Sequence, residues 1–238
     1  MKITYIHHSS FSVELENAVL LFDYFKGTLP EFPAGKPLFI FASHFHADHY
    51  DPVIFQLGEK RENVFYILSK EIGKKIPEEY RKRYKDRMRL VKAGERFCLN
   101  ISEESLIVET FHSTDEGVAF WLSCEGKEIY HAGDLNNWWW EGEDMAWNRN
   151  MAASYKQEMK KLSGRTADLA FIPVDPRLEQ WFYLGAAGFM EQADTKWIFP
   201  MHFWEDYTII PKLIEHPSSE GWRDRIVKIH KEGEEFIR

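Results

Sequence analysis

The stretch Leu38-Phe39-Ile40-Phe41-Ala42-Ser43-His44-Phe45-His46-Ala47-Asp48-His49 decides how the rest of the chain is read. Its first five residues are apolar without a break. A short run of this kind suits a strand buried on both faces. It stops abruptly in four side chains that can hold a metal, His44, His46, Asp48 and His49, within six residues. On a continuing helix, residues two apart face different sides, so His44 and His46 would not converge. On a loop leaving a strand they can. Imidazole nitrogen and carboxylate oxygen together suit a borderline divalent ion such as zinc. The plain alternative is a histidine-rich surface turn, which this close packing of ligand types disfavours.

Working outward, the N-terminal side reads as β. Residues 2–6, 11–16 and 18–24 are rich in branched and aromatic side chains, with a hairpin turn at Glu16-Asn17. A Pro/Gly-rich loop covers 27–37. On the C-terminal side, Asp51-Pro52 marks the start of a short helix. Residues 64–68 form another buried strand, and 69–75 and 77–86 read as helical. A second run of strands covers 88–92, 97–101, 106–111, 118–124 and 128–132. Met151, Tyr155, Met159 and Leu162 recur at helical spacing. Residues 168–172 and 197–199 are buried strands around a helix near 186–193, and 226–230 reads as a final strand. This order predicts an α/β chain with two packed sheets and helices outside, as one domain over 1–238.

Composition excludes several classes. The 238 residues are 44% hydrophobic and 29% charged, an ordinary globular balance. Lys and Arg total 30 against 38 Asp and Glu, a net charge of −8. That gives no electrostatic reason to bind nucleic acid. No apolar run approaches the ~20 residues that span a bilayer. The start, MKITYIHHSS, lacks the apolar stretch of an export signal. Cys98 and Cys124 then read as reduced core residues, and the expected location is cytoplasmic without a membrane partner.

Further ligand candidates recur at strand ends. His112 closes the run 106–111, Asp134 follows a turn at Gly133, and His202 follows 197–201. His131 lies inside the preceding strand and reads as packing or support. His216 and His230 read as surface residues.

The set His44, His46, Asp48, His49, His112, Asp134 and His202 resembles the metal signature of the metallo-β-lactamase superfamily. The intervals of 63, 22 and 68 residues from His49 to His112, Asp134 and His202 fit it. The resemblance implies a four-layer αββα sandwich with the site on one edge of the two sheets. By position it implies two divalent ions, most simply zinc, with manganese or iron as alternatives. His44, His46 and His112 would hold the first, Asp48, His49 and His202 the second, and Asp134 both. Within the superfamily the segments Ile6–Phe11, Leu21–Asp23, Tyr130–Asp134 and Pro200–His202 resemble simple hydrolases such as the ascorbate-6-phosphate lactonase-like proteins. Asp23 then has two readings, a buried carboxylate orienting a histidine or a cap on a turn. His8 is a weaker candidate of the same supporting kind. True β-lactamases lack a bridging carboxylate like Asp134, flavodiiron proteins alter the first motif, and nuclease branches add a clamp that is not evident here.

The implied chemistry is hydrolysis of a small-molecule ester, lactone, amide or phosphodiester by a metal-bridging hydroxide, with Asp48 as the catalytic carboxylate. Trp138, Trp139 and Trp140 follow Asp134 closely, and at least one is expected at a pocket mouth and at least one in packing. Asn137 is a candidate polar contact there. Arg177 reads either as partner to a substrate anion or as half of a structural pair with Asp175. A nuclease of the same fold and a non-catalytic metal-binding module are the competing classes. A homo-oligomer is compatible with the sequence.

Overall fold

The chain opens with an antiparallel ladder of β1 (Lys2–His7), β2 (Ser10–Glu14) and β3 (Val19–Phe22). The computed structural model describes residues 1–101 and 104–238. From β3 onward the first sheet turns parallel, adding β4 (Leu38–Ala42), β5 (Val64–Ser69) and β6 (Met88–Val91). Helices α1 (Ile54–Glu59) and α2 (Glu78–Arg83) lie in the crossovers. The second sheet begins with β7 (Arg96–Ile101), β8 (Glu104–His112), β9 (Val118–Cys124) and β10 (Lys127–His131), all antiparallel neighbours. Helix α3 (Met145–Lys160) leads to β11 (Thr166–Pro173), and α4 (Leu184–Gln192) to β12 (Asp194–Met201). Both strands are parallel to β10. After α5 (Ile209–Glu215), the C-terminal β13 (Glu235–Ile237) returns to pair with β1. The sheet orders are β13-β1-β2-β3-β4-β5-β6 and β12-β11-β10-β9-β8-β7.

Strand alternation explains why these runs are apolar throughout. Leu20, Phe22, Phe39 and Phe41 face the core between the sheets, while Val19, Leu21, Leu38, Ile40 and Ala42 face a second core under α1. Successive side chains leave a strand on opposite faces, so a strand covered on both sides needs apolar residues at every position. Helix α4 packs on β11 and β12 over the far sheet. The result is the four-layer α/β/β/α arrangement, with β4, β8, β10 and β12 ending at a common rim. Among the described residues no helix is long and apolar enough to cross a membrane.

Two expectations change. Residues 226–230 do not form a strand; Ile226 makes a single bridge to Ile198, and the closing strand is β13. Ile226, Val227 and Ile229 are buried, so their apolar character reflects packing rather than a ladder. Cys98 lies exposed on the edge strand β7, whereas Cys124 is buried.

Two glycines let the second sheet close on the first at the rim. Gly117 has φ +74, and a Cβ there would lie 2.0 Å from the Ser43 carbonyl oxygen and 2.7 Å from the His44 Cβ. Gly133 has φ +51 and would meet the Ser43 side chain at 2.6 Å. Both approaches press on the residues that begin the metal-capable motif. Gly117→Ala should therefore destabilise by about 1–3 kcal/mol through overpacking, roughly 2–12 °C in Tm for a chain of this size. Gly142→Ala, where a Cβ meets nothing within 4 Å, should leave Tm nearly unchanged. Thermal unfolding followed by near-UV circular dichroism checks both, and equal Tm values would refute the account.

Candidate metal centre

The motif leaves β4 with its backbone already anchored. Asp23, just past β3 in left-handed backbone at φ +44, is fully buried. It accepts from the Ser43 N–H at 2.7 Å, from the Ser43 Oγ at 2.6 Å, and binds His49 Nδ1 at 2.7 Å. Ser43 Oγ donates to Asp23, so at 3.0 Å it accepts from His44 Nδ1–H. That leaves the His44 Nε2 lone pair free, and it points at the rim. His49 is oriented the same way, Nδ1 on Asp23 and Nε2 on the rim. Asp23 is thus the histidine-orienting carboxylate, not a turn cap.

Asp134 sits where these nitrogens converge. Its Oδ1 lies 3.2 Å from His49 Nε2 and 3.3 Å from His202 Nε2, and its Oδ2 lies 3.4 Å from His44 Nε2. One carboxylate therefore faces two groups of candidate ligands with different oxygens. The first group is His44, His46, Asp115 and Asp134; the second is His8, Asp48, His49 and His202. His46 Nδ1 is 3.0 Å from His44 Nε2 and 3.8 Å from Asp115 Oδ2.

His112 stands apart from both groups. It is exposed at the end of β8, and its backbone N–H donates to Glu158 on α3 at 3.3 Å. The chain then turns through Ser113 and is pinned at Gly117 against Ser43, and the side chain it brings to the first group is that of Asp115. Ser113 Oγ accepts from the Asp115 N–H at 3.1 Å and fixes that turn. The reading from sequence stopped at the strand-end histidine. The carboxylate grouped with His44 and His46 lies three residues beyond it, in the same short loop.

His8 is placed beside Asp48, 3.4 Å from Nε2 to Oδ2. Burial pushes it down to about 4, so it is neutral at pH 7. The Trp204 N–H donates to its Nδ1 at 3.3 Å, which leaves the proton on Nε2, directed at Asp48. With that proton His8 supports Asp48, beside the group that Asp48 forms with His49 and His202. His202 has a support that the sequence reading assigned elsewhere: Asp175 Oδ2 holds its Nδ1 at 2.9 Å. His131 packs flat on Phe22 with ring centroids 4.8 Å apart and bonds the Ser9 carbonyl, a packing role.

The charges are unbalanced in an informative way. Burial would raise Asp134, but the positive charge of His49 and His202 outweighs it and holds Asp134 well below the carboxylate range. Burial opposes protonation of His202, yet Asp134 and Asp175 push it up to about 10. Asp115 is raised instead: burial and the charge of Asp134 outweigh its more distant histidine neighbours. Buried His49 Nε2 and Asp134 Oδ1 lack good hydrogen-bond geometry although they face one another. Such a concentration of anions and inward-turned lone pairs fits divalent cations. Each set offers two imidazoles and two carboxylates, suited to zinc, manganese or iron.

A cavity of about 320 Å³ opens over the two groups. His46, Asp48, Asp115, Asp134 and His202 form one side of it. Trp138, Trp140, Trp147 and Met151 form the other, with Arg177 at the edge. Trp139 turns away and packs on Trp181, centroids 5.3 Å apart. Asn137 is half-buried and does not line the cavity. Arg177 gives its Nε to both oxygens of Asp175, at 3.0 and 2.9 Å, and Nη2 to Oδ2 at 2.5 Å.

A family model described as a beta-lactamase superfamily domain matches residues 2–202. The chain is 24% identical over 252 residues to a UPF0173 metal-dependent hydrolase of Alkaliphilus metalliredigens (strain QYMF), covering 97% of this chain and 96% of that protein. Among solved structures, it is similar to a candidate metal-dependent hydrolase from Parabacteroides distasonis, with TM-score 0.62 and 21% identity over 94% of this chain and 90% of that one. It is also similar to Igni18, a metallo hydrolase from Ignicoccus hospitalis, with TM-score 0.65 and 17% identity over 99% and 97%. The structural likenesses are of fold. Since the family match spans most of its length and ends on the ligand candidate His202, the chain belongs to the beta-lactamase superfamily domain family.

Proposed function

We propose that this protein is a dinuclear metal-dependent hydrolase of small molecules. The observation that carries the reading is Asp134, whose two oxygens face two separate His/Asp groups on the floor of a cavity. The metal-dependent hydrolase named among its relatives supports the same class. The first ion would be held by His44, His46, Asp115 and Asp134, the second by Asp48, His49, His202 and Asp134. Two divalent ions sharing a site lower the pKa of a common water from ~15.7 toward ~7 and polarise the oxygen under attack. The protein's own groups do the rest. Asp48 is kept ionised because the proton on His8 and the charge of the nearby histidines outweigh its burial. Its carboxylate would orient the attacking water and take the proton. Asp23 and Asp175 hold His49 and His202 in the one tautomer that turns Nε2 inward.

Metal content separates this ligand set from the one with His112. Protein purified without chelator should carry about two divalent ions per chain. Asp115→Ala should fall toward one, and His112→Ala should stay near two; the opposite pattern would restore His112 and remove Asp115. Elemental analysis reads all three proteins.

Asp48→Asn should lower kcat about a hundredfold or more on whichever ester, lactone or phosphodiester of a test panel is turned over. Tm should change little, because Asp48 is partly exposed. Unchanged kcat would take Asp48 out of the reaction.

Loading should also release protons. His202 is held at about 10, so it carries a proton at pH 7 that a metal must displace, and the carboxylates of Asp134 and Asp23 raise His49 as well. Zinc added to chelator-stripped protein in weak buffer should liberate about one to two protons per chain, and affinity should rise with pH. Saturation with no pH change would show that these histidines are not ligands.

A further inference from the structure

The two sides of the cavity are unlike, and the difference bears on what can bind. On the apolar side the tryptophans are fixed in place. Trp138 Nε1 donates to the Asp134 carbonyl at 2.9 Å. The Trp138 and Trp140 rings lie nearly parallel, 5° apart at a centroid distance of 6.0 Å. Asn148, 2% exposed, accepts from the Trp140 N–H at 3.0 Å and donates to its carbonyl at 2.8 Å. The Trp138 indole N–H and the Trp140 backbone groups are thus satisfied internally, and the surface offered by these two residues is mainly carbon. Rigid aromatic faces bind flat apolar groups at low entropic cost.

The charged side gives an anion little to gain. Asp48, Asp115 and Asp134 all line the cavity, and the one Arg or Lys among its lining residues is Arg177. Arg177 already has Nε and Nη2 on Asp175, so it is mostly neutralised. Two divalent ions, if held there, would bring four positive charges, which these three carboxylates and one hydroxide would match. An anionic substrate would lose hydration without a compensating partner. The volume, about 320 Å³, is at the small end for a ligand site and suits one ring with a short chain.

We propose, resting on the hydrolase reading, that the substrate is an uncharged carbonyl ester or lactone with a flat apolar group that packs against Trp140, which the buried Trp138 backs. Phosphorylated, phosphodiester and carboxylated substrates are disfavoured, and Arg177 serves as a positioning residue for the Asp175–His202 pair rather than as an anion clamp.

The test uses the zinc-loaded full chain and two esters that share one scissile bond, methyl 4-acetoxybenzoate and 4-acetoxybenzoate, with bis(4-nitrophenyl) phosphate beside them. The neutral ester should show kcat/KM about tenfold or more above either anion. Trp140→Ala should raise KM for the neutral ester about tenfold with kcat little changed, and Trp139→Ala should leave KM as it was. Equal or faster turnover of 4-acetoxybenzoate or of the phosphodiester overturns the inference and leaves the hydrolase reading standing. If nothing is turned over by metal-loaded protein, the hydrolase reading fails for these bonds. Calorimetric titration with methyl 4-hydroxybenzoate and 4-hydroxybenzoate then decides the inference alone. Tighter binding of the neutral ligand, lost in Trp140→Ala, supports it; equal or tighter binding of the anion overturns it.

Discussion

A single buried carboxylate, Asp23, is the interaction on which the site depends. It has no solvent exposure, and an ion in that position is costly unless donors surround it. Ser43 supplies two donors and His49 a third. Those two residues bracket the metal-capable motif, so one anion fixes both ends of a loop that has little regular structure of its own. Removing a partner from a buried charged pair typically costs about 3–5 kcal/mol. That is a large share of the 5–15 kcal/mol that holds an ordinary domain together. The orientation of the ligands and the stability of the fold are therefore coupled at this point.

From Asp23 the charges alternate across the rim. Asp23 holds His49 at 2.7 Å, His49 faces Asp134 at 3.2 Å, Asp134 faces His202 at 3.3 Å, and His202 meets Asp175 at 2.9 Å. Carboxylates stand at both ends and in the middle. The carboxylates favour the charged form of the histidines between them, which is why both His49 and His202 are raised. Asp115 lies outside the alternation and is raised instead. Divalent ions would supply that charge at the first pair and relieve the second imbalance. His8, Asp23 and His202 all adopt left-handed backbone, at φ 54, 44 and 63. Such conformations are uncommon for residues with a Cβ and tend to gather where function requires them.

The sequence made the sandwich legible because strands covered on both faces cannot hide. Leu38–Ala42 is apolar at every position since each face meets a core. The motif was legible because four metal-capable side chains in six residues have few other uses. What escaped depended on where chains run after a strand ends. His112 and Asp115 are three residues apart, and which of them lies beside His44 and His46 depends on the turn through Ser113 and the close approach of Gly117 to Ser43. Asp175 looked like a partner for Arg177 alone, since nothing local reveals that His202, 27 residues on, shares it. The three-residue β13 was missed for a different reason. It is too short to carry a pattern and forms only because β1 offers an open edge.

Chemistry and selectivity meet in one residue. The carboxylate of Asp134 faces both ligand groups, and its backbone carbonyl accepts from Trp138 Nε1. Trp138 in turn stacks on Trp140, which Asn148 ties to the first turns of α3. The apolar wall is thus registered against the metal ligands through one peptide unit rather than through a mobile loop. Rigid placement of this kind is what positions a substrate's reacting carbon, where errors of an ångström are costly. It also means that the segment from Asp134 to Met151 can vary in its aromatic residues, and so in what it selects, while the carboxylate that serves both ligand groups keeps its place.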